Sequence, residues 1–450
     1  MAKQQSLGNK DGDAWIIDVN MGYGHSRAAH ALKDLGGGEV ISANDYPGIP
    51  PKDRRYWTQS RKLYEFLSRM KPIPLIGNAV FEILDRFQEI PPFYPHRNLS
   101  DPNLQLRQIY YFIKRGLGRD LIDRLSDDPK PIVTTFFVAA FFADYWDYPG
   151  DIYCVTTDTD ISRTWVSLDP KSSRINYLAS SGRVVERLQL YGVPEDRIFL
   201  TGFPLPKSLI GGPESDCLKD LLMDRICNLD PRGIFVDRYK RTLKDELGAQ
   251  RCKQEEAGHP LTITYSVGGA GAQRRLGVKI LNSLRHSIAR REVRLNLMAG
   301  VRDDVAEFFK RAAVNNNLED ELGEWVRVPT YNSRDDYFTD FNEVMKTTDI
   351  LWTKPSELSF YTGLGIPLVT APPIGSQEEF NEFWLRYVSG GTPQFKPAHT
   401  NEWLIDWIES GGMARMAWSG YIEAPTHGTY RIEDLVLNRE QRMPPHPMIV

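Results

Sequence analysis

Cysteine is scarce in this chain, and what there is has no pattern. Cys154, Cys217, Cys227 and Cys252 form no C-x-x-C pair, which excludes a disulfide scaffold and fits a reducing compartment. Net charge is almost absent as well. Lys plus Arg is 55 against 59 for Asp plus Glu, a formal charge of -4, so there is no global electrostatic ground for binding nucleic acid. No apolar run is long enough to cross a bilayer. The longest, Ile132 to Ala143, falls well short of the roughly 20 residues required and reads as a buried strand running into a helix. The polar start MAKQQSLGNKDGD lacks the apolar core of a signal peptide. Low-complexity segments and short-period repeats are also missing. These absences together point to a cytoplasmic protein with no nucleic-acid partner. With 41% hydrophobic and 25% charged residues, the composition is that of a folded globular protein rather than a disordered chain. Its 450 residues allow about three average domains or two large α/β lobes.

Local patterns favour two lobes. Ala14 to Val19 reads as a buried strand, followed by the turn Asn20-Met21-Gly22-Tyr23-Gly24-His25 and a helix from Ser26. Strand, glycine turn and helix in that order open a βαβ unit. Further strand signals lie at Glu39–Ser42, Pro131–Thr135, Ile152–Thr156, Ile175–Leu178 and Ile198–Thr201, making residues 1–205 one doubly wound lobe. Residues 206–258 are charged and irregular and read as a linker with inserted helices. The same grammar restarts with the strand Leu261–Ser266, the turn Val267-Gly268-Gly269-Ala270-Gly271 and a helix over Arg274–Arg290. Strands at Val293–Met298, Trp325–Val328, Asp349–Trp352 and Pro367–Thr370 complete a second lobe over 259–420. Residues 421–450 read as a tail wrapping the surface or lying loose.

Several clusters could carry chemistry. Gly22 and Gly24 lead into His25 at the carboxyl end of the first strand, the edge where open α/β sheets collect ligands. The spacing is not the dinucleotide fingerprint, because Arg27 stands at the third glycine position; a tight turn with a capping His would look the same. The matching turn, Gly268, Gly269, Ala270 and Gly271, is suited to a diphosphate lying on backbone amides, or is a turn needed only for packing. Thr353-Lys354-Pro355-Ser356-Glu357 places a phosphate-neutralising Lys354 and a diol-accepting Glu357 at the sheet edge, with Ser356 at a helix start; a capped helix with a solvated charge pair is the plain alternative. The loop Gly375-Ser376-Gln377-Glu378-Glu379-Phe380-Asn381 offers Gln377, Glu378 and Asn381 to sugar hydroxyls, or serves as a helix entry. Asp158 and Asp160 invite a metal, but no further ligand cluster accompanies them and no metal is expected. Asp158 makes better sense orienting His25 or meeting an acceptor. Residues 52–71 interleave Lys52, Arg54, Arg55, Arg61, Lys62, Arg69 and Lys71 with aromatics, suited to an anionic membrane surface or to an amphipathic helix packed on the lobe.

Taken in order, these segments resemble the GT-B glycosyltransferases of family 28, among them the processive diacylglycerol glucosyltransferases, the monogalactosyldiacylglycerol synthases and the peptidoglycan lipid-intermediate GlcNAc transferase. The likeness runs with gaps from about residue 14 to 390 and rests on five blocks. They are Gly22-Tyr23-Gly24-His25-Ser26-Arg27-Ala28-Ala29; Val155-Thr156-Thr157-Asp158 with Trp165; Tyr191-Gly192-Val193-Pro194 with Thr201-Gly202-Phe203-Pro204; Thr353-Lys354-Pro355 with Gly365-Ile366-Pro367; and Gly375-Ser376-Gln377-Glu378-x-x-Asn381. The chain departs from the pattern in three places. Phe360 stands where the family carries its ribose-binding Glu, Ser162 replaces a His, and Ser356-Glu357 follow Lys354-Pro355 where the family has two glycines.

The resemblance implies an α/β protein of GT-B type, two Rossmann-like doubly wound lobes facing an interdomain cleft. It implies inverting, metal-independent transfer from a nucleoside diphosphate sugar, with UDP as the nucleotide, to an acceptor hydroxyl such as that of a lipid. No cofactor beyond that substrate is expected. His25, oriented by Asp158, would be the base, with Gly22, Gly24 and Trp165 on the acceptor side. Gly268, Gly269, Ala270, Gly271, Lys354, Ser356, Glu357, Gln377, Glu378 and Asn381 would hold the donor, with Glu357 taking the ribose. The location implied is cytoplasmic, peripheral on the inner face of the membrane. Two rivals use the same scaffold: a nucleotide-sugar 2-epimerase, and a non-catalytic nucleotide-sugar binder.

Overall fold

The structure is a computed structural model that describes residues 11–59, 90–253, 256–269, 271 and 273–440. The chain divides into two compact units: residues 1–205 with 374–381 and 427–450, and residues 206–373 with 382–426.

The first unit is built on a six-stranded parallel sheet in the order β2-β1-β3-β4-β5-β6. Its strands are β1 (Trp15–Asp18), β2 (Ile41–Ser42), β3 (Ile132–Thr134), β4 (Ile152–Val155), β5 (Ile175–Ala179) and β6 (Ile198–Leu200). β1, β3, β4 and β5 are buried along their whole length, the state that makes parallel strands read as continuous apolar runs. One face of the sheet packs on a large core including Trp57, Phe141, Phe142 and Trp165. The other packs on a smaller core that joins Ala14 and Ile16 to Ile432 and Val436.

The second unit carries another six-stranded parallel sheet, ordered β12-β11-β10-β7-β8-β9. Here the strands are β7 (Thr262–Ser266), β8 (Arg294–Met298), β9 (Val326–Arg327), β10 (Ile350–Thr353), β11 (Leu368–Thr370) and β12 (Gly391–Pro393). Counted within the unit this is the order 3-2-1-4-5-6 of dinucleotide-binding folds. The helix Arg274–Ala289 that follows β7 buries Leu276, Ile280, Leu281, Leu284 and Ile288. That stripe recurs at helical spacing, each side chain contributing about 1.5–3 kcal/mol when fully buried. Gly277 lies on the same helix because a Cβ there would stand 2.8 Å from both Tyr265 and Phe309. Close helix-strand approach, not backbone freedom, dictates that glycine.

The α/β class and the two doubly wound parallel sheets are therefore as the sequence implies. Three expectations need correction. The helices expected within residues 206–258 are present as Asp216–Leu229 and Ile234–Leu247, but the segment counts with the second unit and not as a linker, burying Leu222, Ile226, Leu229, Phe235, Leu243 and Leu247 in that unit's core. The fully buried Arg225 ties that core together by donating to the carbonyls of Thr348, Leu364, Gly365 and Met345. The described part of the segment after 420, residues 421–440, is not a loose tail either. Helix Gly428–Val436 counts with the first unit, where Thr429 bonds Leu205, and Arg431 donates to the Thr201 carbonyl at 3.0 Å. Residues 374–381, assigned by sequence to the second lobe, also count with the first. Within the basic and aromatic segment 52–71, the residues up to 59 are helical; residues 60–71 lie outside the described residues. No helix among the described residues is long and apolar enough to cross a membrane.

Candidate functional site

In an open parallel sheet, the strands on either side of a reversal in strand order leave a crevice at their carboxyl ends. In the first unit that point lies between β1 and β3, and His25 stands there. Gly22, at φ +102 with nothing within 4 Å of a would-be Cβ, is required by its backbone conformation and not by crowding. It turns the chain so that helix Gly24–Ala31 starts beside the end of β3. Thr135 then clamps His25 twice. The His25 Nδ1 sits 2.7 Å from the Thr135 carbonyl, and the Thr135 hydroxyl donates to the His25 carbonyl at 2.8 Å. Because a carbonyl can only accept, Nδ1 carries the hydrogen and Nε2 is the proton-accepting nitrogen of the neutral ring. Phe136 meets the imidazole edge-on at 4.8 Å between ring centroids, and Trp165 lies at 6.0 Å. The two sequence-predicted residues His25 and Trp165 are thus neighbours. The partner of Nδ1 is Thr135, a residue with no motif to announce it.

The loop after β4 is fixed residue by residue. The Thr157 hydroxyl lies 3.3 Å from His25 Nδ1. The half-buried Asp158 accepts at Oδ1 from Asn381 Nδ2 at 3.0 Å. Thr159 donates its N–H and hydroxyl to Asn381 Oδ1, at 2.9 and 3.0 Å. Asp160 receives two bonds from Arg187, 2.8 and 2.7 Å, in an ion pair with side-chain exposures of 1% and 0%. The second carboxylate of the Asp-x-Asp step is therefore a structural anchor. Asn381, a candidate donor-sugar ligand by sequence, is 1% exposed, and both ends of its amide are engaged by the first unit. Glu378 bonds back to the N–H of Ile374 at 2.8 Å, as a residue in the first turn of helix Ser376–Tyr387 does when it caps its own start. Gln377 is half-buried in the same turn.

In the second unit the strand-order reversal lies between β7 and β10. Gly268 to Gly271 fold into a turn closed by Gly271 N–H donating to the Gly268 carbonyl at 2.8 Å. Two cations flank that backbone: a Cβ on Gly268 would lie 3.1 Å from Lys354 Cε, and one on Gly271 3.5 Å from Arg302 Cζ. Lys354 follows β10 directly, and Arg302 precedes helix Asp303–Val314 after β8. Helix Arg274–Ala289 begins next to the turn with no acidic residue and no side-chain cap, but with Arg274 and Arg275 in its first turn. Cations there oppose the helix dipole, and an anion on the turn would offset both. Asp304 takes part of this charge, accepting from Arg302 at 2.9 and 3.1 Å and from Arg274 at 3.2 Å. The Arg302 hydrogen bonds hold the Asp304 carboxyl below the usual range. Ser356 precedes a 3-10 helix, Glu357–Leu364, which starts with Glu357 buried at 9% exposure. Phe360 is fully buried against Trp384, 5.1 Å between centroids, so its ring belongs to the core of the unit. Gly269 adjoins Gly268 in the turn; Ala270 lies outside the described residues.

The structure thus brings His25 and Trp165 together in the first unit, where Asn381 also holds Asp158, and Gly268, Gly271 and Lys354 in the second. Sequence reasoning missed Thr135, Phe136 and Arg302. Among the described residues no three His, Cys, Asp or Glu side chains are placed to hold a metal ion.

No protein-family model matches the chain, and no curated protein matches it in sequence. Solved structures resemble it at the level of the chain trace. A UDP co-structure of MnaA from S. aureus shares 11% identity over 96% of this chain and 98% of its own, with a TM-score of 0.44. UDP-GlcNAc 2-epimerase from Neisseria meningitidis, bound to UDP-GlcNAc, shares 14% over 76% and 84%, with a TM-score of 0.41. WaaG, a glycosyltransferase of lipopolysaccharide biosynthesis, shares 13% over 73% and 82%, with a TM-score of 0.38. A UDP-GlcNAc 2-epimerase and a glycosyltransferase therefore both stand among the similar structures.

Proposed function

We propose that the chain is an inverting glycosyltransferase that moves a sugar from a nucleoside diphosphate sugar, with UDP as the nucleotide, to an acceptor hydroxyl. The observation that carries the reading is the seat at the β7–β10 switch point. A glycine turn lies between Lys354 and Arg302, beside a helix start whose charges call for an anion. A diphosphate fits that chemistry, taking hydrogen bonds from backbone N–H groups and charge from Lys354 and Arg302. These side chains supply positive charge to the leaving group, so the reading requires no metal.

His25 is the proposed base. Its Nε2 would take the proton of the acceptor hydroxyl as the oxygen bonds to the anomeric carbon and the carbon–diphosphate bond breaks, the electron pair leaving with the diphosphate. The Thr135 carbonyl on Nδ1 keeps the ring in the required tautomer and favours the imidazolium that forms. Glu357 is the proposed ribose contact in place of Phe360. A lipid acceptor, met at an anionic membrane surface through residues 52–71 of a cytoplasmic protein, belongs to the same proposal.

The test is a transfer assay with UDP-sugars and a panel of hydroxyl acceptors, run beside a donor-only assay. His25→Ala should lower transfer about 10²–10⁴-fold with UDP affinity unchanged. Full activity in this variant removes the base assignment. Release of an isomerised sugar without any acceptor would replace transfer by 2-epimerisation.

A further inference from the structure

Asn381 is placed to act on Asp158 rather than on a sugar. Its amide orientation is set by chemistry: Oδ1 accepts two hydrogen bonds from Thr159, so Nδ2 is the end directed at the Asp158 carboxylate. A flipped amide would set donors against donors and an oxygen against an oxygen. The backbone beneath is held from the other side. Ser180 Oγ donates to the Asp158 carbonyl at 2.5 Å and Ser181 Oγ to the Thr159 carbonyl at 2.9 Å. With Thr157 against His25 and Asp160 paired to Arg187, every residue from 157 to 160 is pinned, and Asn381 grips both the Asp158 carboxylate and the Thr159 backbone.

We propose that Asn381 is a positioning residue that fixes the rotamer and the ionised form of Asp158, next in the chain to the Thr157 whose hydroxyl faces His25. The inference rests on the proposed transfer reaction and adds to it that an ionised Asp158, in the loop whose Thr157 faces His25, would favour the positive charge that develops on His25. An N–H donor on a carboxylate stabilises its charged form. A second carboxylate at the same distance would do the reverse, because two like charges about 3 Å apart do not both ionise.

The test compares Asn381→Ala and Asn381→Asp with the wild-type protein. Both should lower kcat while leaving the donor KM unchanged, and Asn381→Asp should move the acid limb of the kcat–pH profile up by about one unit or more. A raised donor KM with an unmoved acid limb would return Asn381 to the sugar and overturn the proposal. A second readout needs no turnover: carboxyl 13C NMR, with the Asp158 signal identified by its loss in Asp158→Asn. Its titration midpoint should rise in Asn381→Asp and, to a smaller extent, in Asn381→Ala. An unshifted midpoint in folded protein overturns the proposal whatever the reaction. Absence of transfer in the wild type would sink the transfer reading alone, and the NMR result would still decide the role of Asn381.

Discussion

Replacing Asp160 with Ala probes the anchor on which the loop bearing Asp158 depends. The carboxylate accepts two guanidinium bonds from Arg187 and the N–H of Ile161, all at 2.7–2.8 Å. Without it Arg187 keeps a hydrogen bond to the Pro91 carbonyl at 3.0 Å, and ring faces at Phe93 and Tyr191. The guanidinium, with no side-chain exposure, would be left as an uncompensated buried charge. Breaking such a pair from one side costs about 3–5 kcal/mol. For a unit of roughly 200 residues that lowers Tm by about 6–20 °C, at about 2–4 °C per kcal/mol. Thermal and urea unfolding should be followed by a probe confined to the first unit, because two-unit chains need not unfold in one step. The double variant Asp160→Leu with Arg187→Met, which removes both charges and keeps the volume, should recover most of the loss. A loss below about 1 kcal/mol for Asp160→Ala, the size of a surface pair, would refute the anchor.

Two further outcomes concern the second unit. Burial holds the Asp349 carboxyl protonated well above its usual range, so the folded chain binds more protons than the unfolded one between the ordinary and the raised pKa. Stability falls as pH rises through that window. Asp349→Asn keeps an acceptor for Thr262 N–H and Asn228 and should remove that decline, giving equal or greater stability at about pH 8; a steeper decline in the variant contradicts the assignment. Gly277→Ala should destabilise the unit by about 1–3 kcal/mol, since the new methyl meets two buried rings at 2.8 Å. That penalty outweighs the roughly 1 kcal/mol that Ala gains over Gly in a helix. A more stable variant in denaturant titration would contradict it.

The strands were legible because fully buried parallel strands are apolar along their length, as in Ile132-Val133-Thr134 or Ile350-Leu351-Trp352. β12 was not, because Gly391-Thr392-Pro393 carries no such signal and its place is set by pairing with β11. Residues 206–258 misled for a physical reason. Helices that expose Asp216, Asp220, Lys240 and Arg241 present so much charge that the buried stripe Leu218, Leu222, Ile226 and Leu229 is easily overlooked. At the site, glycine turns and the residues beside them could be read locally. Partners brought in by topology could not: Thr135 is 110 positions from His25, and Asn381 is 223 from Asp158. Arg302 sits in no recognisable motif, and only the packing of helix Asp303–Val314 brings it to the glycine turn.

The central claim is that the glycine turn at the β7–β10 switch point holds a nucleoside diphosphate. Calorimetric titration of the full-length protein with UDP, and with GDP, ADP and dTDP for comparison, measures this directly. Saturable one-site binding to the wild type, weakened about tenfold or more when Lys354 and Arg302 are both replaced by Ala, at about 1.4 kcal/mol per tenfold, is the predicted result. No binding of any nucleoside diphosphate, or affinity indifferent to the loss of both cations, would contradict the account.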